Sequence, residues 1–446
     1  MTTLSRTGRR FRATLIRQVA TEHEAHEERV RPHIRAFAVV LVTAALLPFV
    51  PDEISFFSVS FSAAFLVFVC LALAHHTCSR RTYVVDTPAL WLFGFLVLLA
   101  ISPFTASAND VPFAAWLRGV VPFVFLGTYL LARPGMAVVE VRLLVNTLHL
   151  ASILWASKVL VQAYLTFISG AVAIVERLTY LTMDLTLPFS LVGLVLSLFN
   201  PDPRFSRWRA LLTSFFLVII IASGYRSQAL ISVLILTVYL AGLPSRYKLA
   251  LIVGALVFSG GVILTLAKLD LLEAYTARFS ETSASSESSR LMEIGYAFDQ
   301  FAQSPVIGRG LGFPIPVEIT FGDDRDFIKQ WVDVASVGYI QASVGYIHDL
   351  PAYLLMDLGA LGLICYFGFM LAGLRSFPTI GRRISRDPQE ALRLCPWLIV
   401  ASILLFVMVE ASFRLIQTNL IFSSCVAMLG ALRRVTDPRS NLQPEN

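Results

Sequence analysis

The dominant feature of this sequence is a succession of long apolar runs. About twelve of them approach the roughly 20 residues that a bilayer-crossing helix needs, at 36–51, 55–75, 88–104, 111–132, 143–167, 185–200, 210–224, 227–243, 248–268, 350–374, 395–413 and 416–432. Backbone polar groups inside hydrocarbon must satisfy one another, so runs of this kind become helices. Only 15% of the 446 residues are charged against 56% hydrophobic, and the mean hydropathy is +0.70. A soluble domain carries about a quarter of its residues charged, so this chain cannot coat a water-facing surface of its size. The expected fold is an all-α polytopic membrane protein with about 12 transmembrane helices. The net charge of +6 does not point to nucleic acid, because excess Arg in a membrane protein reads as cytoplasmic loops beside anionic lipid.

Lys and Arg fall in alternate loops, as the positive-inside rule demands. One set holds Arg80 and Arg81, Arg133 and Arg142, Arg204, Arg207 and Arg209, Arg246 and Lys248, Arg375, Arg382, Arg383 and Arg386, then Arg433 and Arg434. The opposite set holds Asp52 and Glu53, Asn109 and Asp110, and the long segment between the ninth and tenth spans. Both termini are therefore expected inside. The reading divides the chain into an Arg-rich cytoplasmic arm (1–35), spans one to nine (36–268), an external, periplasmic loop with short helices (269–349), spans ten to twelve (350–432) and a cytoplasmic tail (433–446). No apolar stretch near the start reads as a cleaved signal peptide. The external loop carries twelve acids and five bases, a net charge of −7, which leaves +13 on the remainder. That asymmetry supports the same orientation. Within the loop, 280–289 is Ser-rich, and Leu291, Ile294, Phe298 and Phe301 recur at helical spacing. Cys70, Cys78, Cys365, Cys395 and Cys425 lie in apolar spans or their flanks without metal-like spacing, which argues against disulfides and structural zinc.

Polar groups collect at the expected outer ends of the spans. Arg226 stands at the apex between the seventh and eighth runs; the helix leading to it rises only about 22 Å, less than the ~30 Å hydrocarbon core. A guanidinium sunk there reads as a functional charge, or else as an anchor snorkelling to the headgroups. Arg290 opens a helix, where a cation opposes the macrodipole; beside free N–H groups it suits a phosphate, or it is a solvated surface group. Of seven histidines only His348 faces outside, just before Asp349, a candidate N-cap, and Pro351 in the first turn of the tenth span. The positive helix end favours a neutral, base-competent imidazole there, while Asp349 pulls the other way. Arg118, Asp357 and the i,i+4 pair Glu410–Arg414 share this face and read first as structural. Lys158 lies deep in the fifth span. Arg309, within Gly308-Arg309-Gly310-Leu311-Gly312, lies in a run that lacks the strand and helix of a phosphate loop and reads as a turn.

In order, Ser223-Gly224-Tyr225-Arg226-Ser227-Gln228, Arg290 with its helix, Ser304-Pro305-Val306-Ile307-Gly308-Arg309-Gly310-Leu311-Gly312-Phe313 and the stretch His348 to Gly362 with Asp357 and Gly359 resemble the bacterial O-antigen ligase and O-antigen (exopolysaccharide) polymerase superfamily. The motif-bearing part runs from about 205 to 375. Asp349 stands where the family commonly has Asn or Ser. The resemblance implies a GT-C-like glycosyltransferase of the bacterial inner membrane, working at the periplasmic face on a glycan carried by undecaprenyl pyrophosphate, with inversion. His348 would be the catalytic base and Arg226 and Arg290 the pyrophosphate clamp, with Arg118, Arg309, Asp357 and Arg414 as possible support. No metal is expected, and no cofactor is implied. The partners would be the lipid-linked donor, an acceptor glycan or lipid A-core, and membrane lipid, with no nucleic acid.

A polymerase and a ligase displace the same leaving group; the lack of a strongly basic outer surface for a phosphorylated core tilts the reading toward a polymerase. A transporter or flippase of lipid-linked sugars, or a noncatalytic export subunit, is the reading from another class. Against a transporter stand the absence of an internal repeat and the gathering of candidate residues at one face.

Overall fold

The computed structural model describes residues 30–47, 56–78, 86–134, 136–168, 188–223, 226–242, 290–316, 347–375, 388–409, 413 and 415–436. Among these all regular structure is helical. In chain order the helices are α1 (Pro32–Leu46), α2 (Phe56–Cys78), α3 (Thr87–Ala108), α4 (Phe113–Val124), α5 (Thr128–Ala132), α6 (Val138–Ile168), α7 (Phe189–Phe199), α8 (Pro203–Ser206), α9 (Arg209–Ser223), α10 (Arg226–Gly242), α11 (290–303), α12 (Leu350–Leu374), α13 (Pro388–Val407) and α14 (Ile416–Thr436). A short 3-10 turn joins α4 to α5. Six segments among the described residues are long and apolar enough to cross a membrane: Ser58–Cys78, Thr87–Ala108, Phe113–Ala132, Val138–Gln162, Leu350–Leu374 and Pro388–Val407. With the shorter apolar helices α1, α7, α9 and α10 they form a bundle consistent with an all-α membrane protein. The apolar run at 248–268, the Ser-rich 280–289, the arm before residue 30, and Glu410 and Arg414 lie outside the described residues.

Burial sorts these helices by the pattern of their side chains. All eleven residues of α7 (FSLVGLVLSLF) are buried, and α6, α9, α10 and α13 surround it. In contrast, α2 exposes Leu66, Val67 and Leu73, an outward apolar surface that lipid would cover. Polar groups tie the bundle together at helix ends. Asp86 caps α3 through the Ala89 N–H, accepts the Tyr129 hydroxyl and pairs with Arg133. Arg31 binds the buried Glu140. Lys158 donates to the Leu47 carbonyl at the C-terminal end of α1 (2.8 Å), which gives that deep cation a structural task.

The feature that shapes the site is a break in α12 at Gly359, whose φ of 66° and ψ of −169° are not helical. The break leaves α12 as two helical halves with a kink between them, and Tyr353 of the first half and Tyr366 of the second both lie against the Phe123 ring, at 6.4 and 6.0 Å between ring centres. Residues 304–312 fill the break. Arg309 and Gly310 donate their N–H groups to the carbonyls of Met356 (2.8 Å) and Asp357 (2.9 Å), while the N–H groups of Ala360 and Leu361 bond to the carbonyls of Pro305 and Val306. A turn thus satisfies both broken helix ends, as backbone buried in a membrane protein requires. A Cβ on Gly308 would overlap the Asp357 carbonyl and one on Gly359 the Val306 carbonyl, and both residues have positive φ. The Gly-rich run is a turn, as its sequence indicates, and its backbone is bonded to a spanning helix.

Candidate functional site

The site lies where α11 meets the start of α12. Asp349 is the N-cap of α12, accepting the Ala352 N–H at 2.8 Å, with Pro351 in the first turn. That cap fixes the backbone one residue upstream. There the His348 N–H donates to Glu293 Oε2 (2.8 Å) and His348 Nδ1 lies 2.8 Å from Glu293 Oε1. A carboxylate only accepts, so Nδ1 carries a proton, and the ring's other nitrogen, Nε2, is the one left to exchange a proton. Glu293 is 1% exposed and the His348 side chain 22%, so the orienting group is sealed and the imidazole stays reachable. Glu293 meets His348 and Pro305 meets Ala360, the second contact twelve residues after the first on either segment. α11 and the first half of α12 therefore run side by side in the same direction.

Arg290 is one turn before Glu293, on the same side of α11. Its charge, with that of Glu293, reaches Asp349: burial pushes the Asp349 carboxyl above the usual range, the Ala352 N–H opposes this, Glu293 adds to it and Arg290 opposes it. One turn after Glu293, the Tyr296 hydroxyl lies 3.3 Å from the Pro314 carbonyl. Burial raises its phenol, with Arg309 opposing and Asp357 adding. The Arg309 guanidinium lies 4.8 Å from the Phe313 ring centre. Along its inner side α11 thus carries a cation, an orienting carboxylate and a phenol in succession.

Four of the candidates converge here. His348 and Arg290 share one electrostatic environment, and Arg309 and Asp357 lie farther along α11, beside Tyr296. Asp357 is fully buried and accepts the Gly312 N–H at 3.1 Å, so it holds the turn. Arg118 is exposed on α4, next to Gly119, which packs on Leu311 and Gly312. Arg226 is the exposed first residue of α10, a helix packed on α7, α9 and α13; the described contacts do not link it to the His348 group. Sequence reasoning missed Glu293, one of twelve acids in its segment, for which the only signal was its place one turn after Arg290. The apolar spacing on α11 also had another meaning. Leu291 and Phe298 face outward, while Glu293 and Ala297 face the protein. Among the described residues no group of three or more His, Cys, Asp or Glu could hold a metal ion.

Residues 210–367 match the family model described as O-antigen ligase. The match covers about a third of the chain, from α9 to the second half of α12, and includes the Gly-rich turn, Arg226, Arg290, Glu293 and His348. It supports a relation to the O-antigen ligase and polymerase superfamily, and the apolar helices indicate a multi-pass membrane protein. No curated protein matches the chain.

Proposed function

We propose that this chain is a glycosyltransferase that joins polysaccharide repeat units, using a glycan on undecaprenyl pyrophosphate as donor, at the periplasmic face of the bacterial inner membrane. The observation that carries the reading is the buried Glu293 holding both the backbone and Nδ1 of His348, one helical turn from Arg290. Nε2 of His348 takes the proton of an acceptor sugar hydroxyl as its oxygen attacks the anomeric carbon. The bond from that carbon to the pyrophosphate oxygen breaks, and the carrier leaves as pyrophosphate. A single displacement of this kind inverts the anomeric centre. Arg290, joined by Arg226, stabilises the charge that develops on the leaving group. Two guanidinium groups supply the positive charge, so the proposed transfer is metal-independent.

A ligase reading, transfer of a finished chain to lipid A-core, is favoured by the description of the family that matches residues 210–367. The acidic balance of residues 269–349 favours the polymerase. A deletion strain separates them by mass spectrometry of lipid-linked glycans: single repeats accumulate if the chain polymerises, and unattached long chains if it ligates. In the complemented strain His348→Ala and Arg290→Ala abolish product at normal expression. Near-normal product in both removes the catalytic assignment. Arg226→Lys should also be poorly active, because a point charge does not reproduce the guanidinium fork; full activity demotes Arg226 to an interfacial anchor.

A further inference from the structure

The helix that carries Arg290 and Glu293 has a second face. Leu291 is 71% exposed and Phe298 52%, with the exposed Ala302 following at the same helical spacing. Asp299 and Gln303 form a separate exposed polar strip on the last two turns, with the exposed Met292 on the same side in the first turn, so the outward surface of α11 is two-sided over its C-terminal half. Beyond the helix the apolar edge continues through the exposed Pro305, Val306 and Ile307. This edge is fastened to a spanning helix. The Val306 carbonyl accepts the Leu361 N–H at 3.3 Å and the Pro305 carbonyl the Ala360 N–H at 2.9 Å. Leu361 and the next outward residue, Ile364, are themselves 42% and 52% exposed on the second half of α12, part of a span by length and composition. An apolar strip continuous with the outward surface of a span shares the solvent of that surface, and an apolar edge beside a polar one is the pattern of a helix lying in the membrane interface.

We propose that α11 is a monotopic helix seated in the leaflet, with its Leu291–Phe298–Val306 edge against lipid hydrocarbon, its Asp299–Gln303 edge at the headgroups and its Glu293 face on His348. The helix is then a partition about 10 Å thick between the leaflet and the imidazole. A lipid-borne substrate reaches His348 around this partition without leaving its leaflet. The seating of α11 stands on exposure and backbone bonding, whereas the route of a lipid-borne substrate rests on the glycosyl-transfer reading.

The test uses the full-length native chain in phosphatidylcholine–phosphatidylglycerol vesicles doped with a phosphatidylcholine bearing a diazirine midway along one acyl chain. Photolysis and peptide mass spectrometry map the carbons that meet hydrocarbon. Adducts are expected at Leu291, Phe298 and Val306 or Ile307, in yields of the same order as at Leu361 and Ile364, with loss of labelling at Asp299 and Gln303. Labelling of Leu361 and Ile364 with none across 291–307 overturns the proposal, since the edge then faces water or protein. Protection of 291–307 that disappears when the chain is diluted to monomers in the vesicles assigns the edge to a second copy and overturns it equally.

Discussion

Replacing Glu293 by Gln tests whether this carboxylate orients the imidazole or merely fills space. The side chain keeps its volume but exchanges one accepting oxygen for an amide NH2, which opposes either the His348 N–H or Nδ1–H. A hydrogen bond to a charged group contributes about 1.5–3 kcal/mol, and leaving one of these buried donors unmatched costs a similar amount. A loss of ~2–3 kcal/mol of transition-state stabilisation corresponds to a fall in turnover of roughly 30- to 150-fold. That lies at or below the lower end of the ~10²–10⁴-fold that a positioned general base contributes, as expected for a group that orients the base rather than replaces it. The assay is turnover in proteoliposomes fed lipid-linked glycan extracted from the deletion strain. KM should change little, because Glu293 is sealed from substrate. A structural defect alone lowers the amount of active protein and leaves the turnover of each active molecule unchanged. Wild-type turnover refutes the positioning role.

Gly359→Ala places a Cβ against the Val306 carbonyl at a φ of 66° and should cost on the order of 1–3 kcal/mol in detergent-solubilised unfolding, while an unchanged melting temperature contradicts the close approach of the turn. For Asp349 the folded carboxyl lies above its ordinary value, so its contribution to stability is fully present below the unfolded value near 4 and is lost as pH rises through the raised one. Asp349→Asn keeps an N-cap acceptor. It should melt at or above the wild type at neutral pH, with the difference shrinking on acidification; a variant less stable at neutral pH than at acid pH, relative to wild type, contradicts the sign.

The sequence discloses some of these features and hides others for a physical reason. Apolar length is a local property, so the runs that become α2, α3, α6 and α12 are visible without knowledge of any contact. The N-cap role of Asp349 is equally local, since it depends only on the residues of the next helical turn. The break at Gly359 is not. Hydropathy sees an unbroken run from 350 to 374, and only the approach of Val306, some fifty residues upstream, shows why a glycine is required there. Glu293 is hidden in the same way, because one acid in an acidic segment has no distinguishing neighbours until His348 is brought against it. Of the regularly spaced apolar residues Ile294 packs against the core, and the spacing of Leu291 and Phe298 misleads for a deeper reason. In water an apolar stripe points inward, whereas next to a bilayer the same stripe can point out, and the buried side of α11 is the one that carries Arg290 and Glu293. In a chain whose main solvent is lipid, an acid buried opposite an apolar stripe is therefore a better guide to the site than the stripe itself.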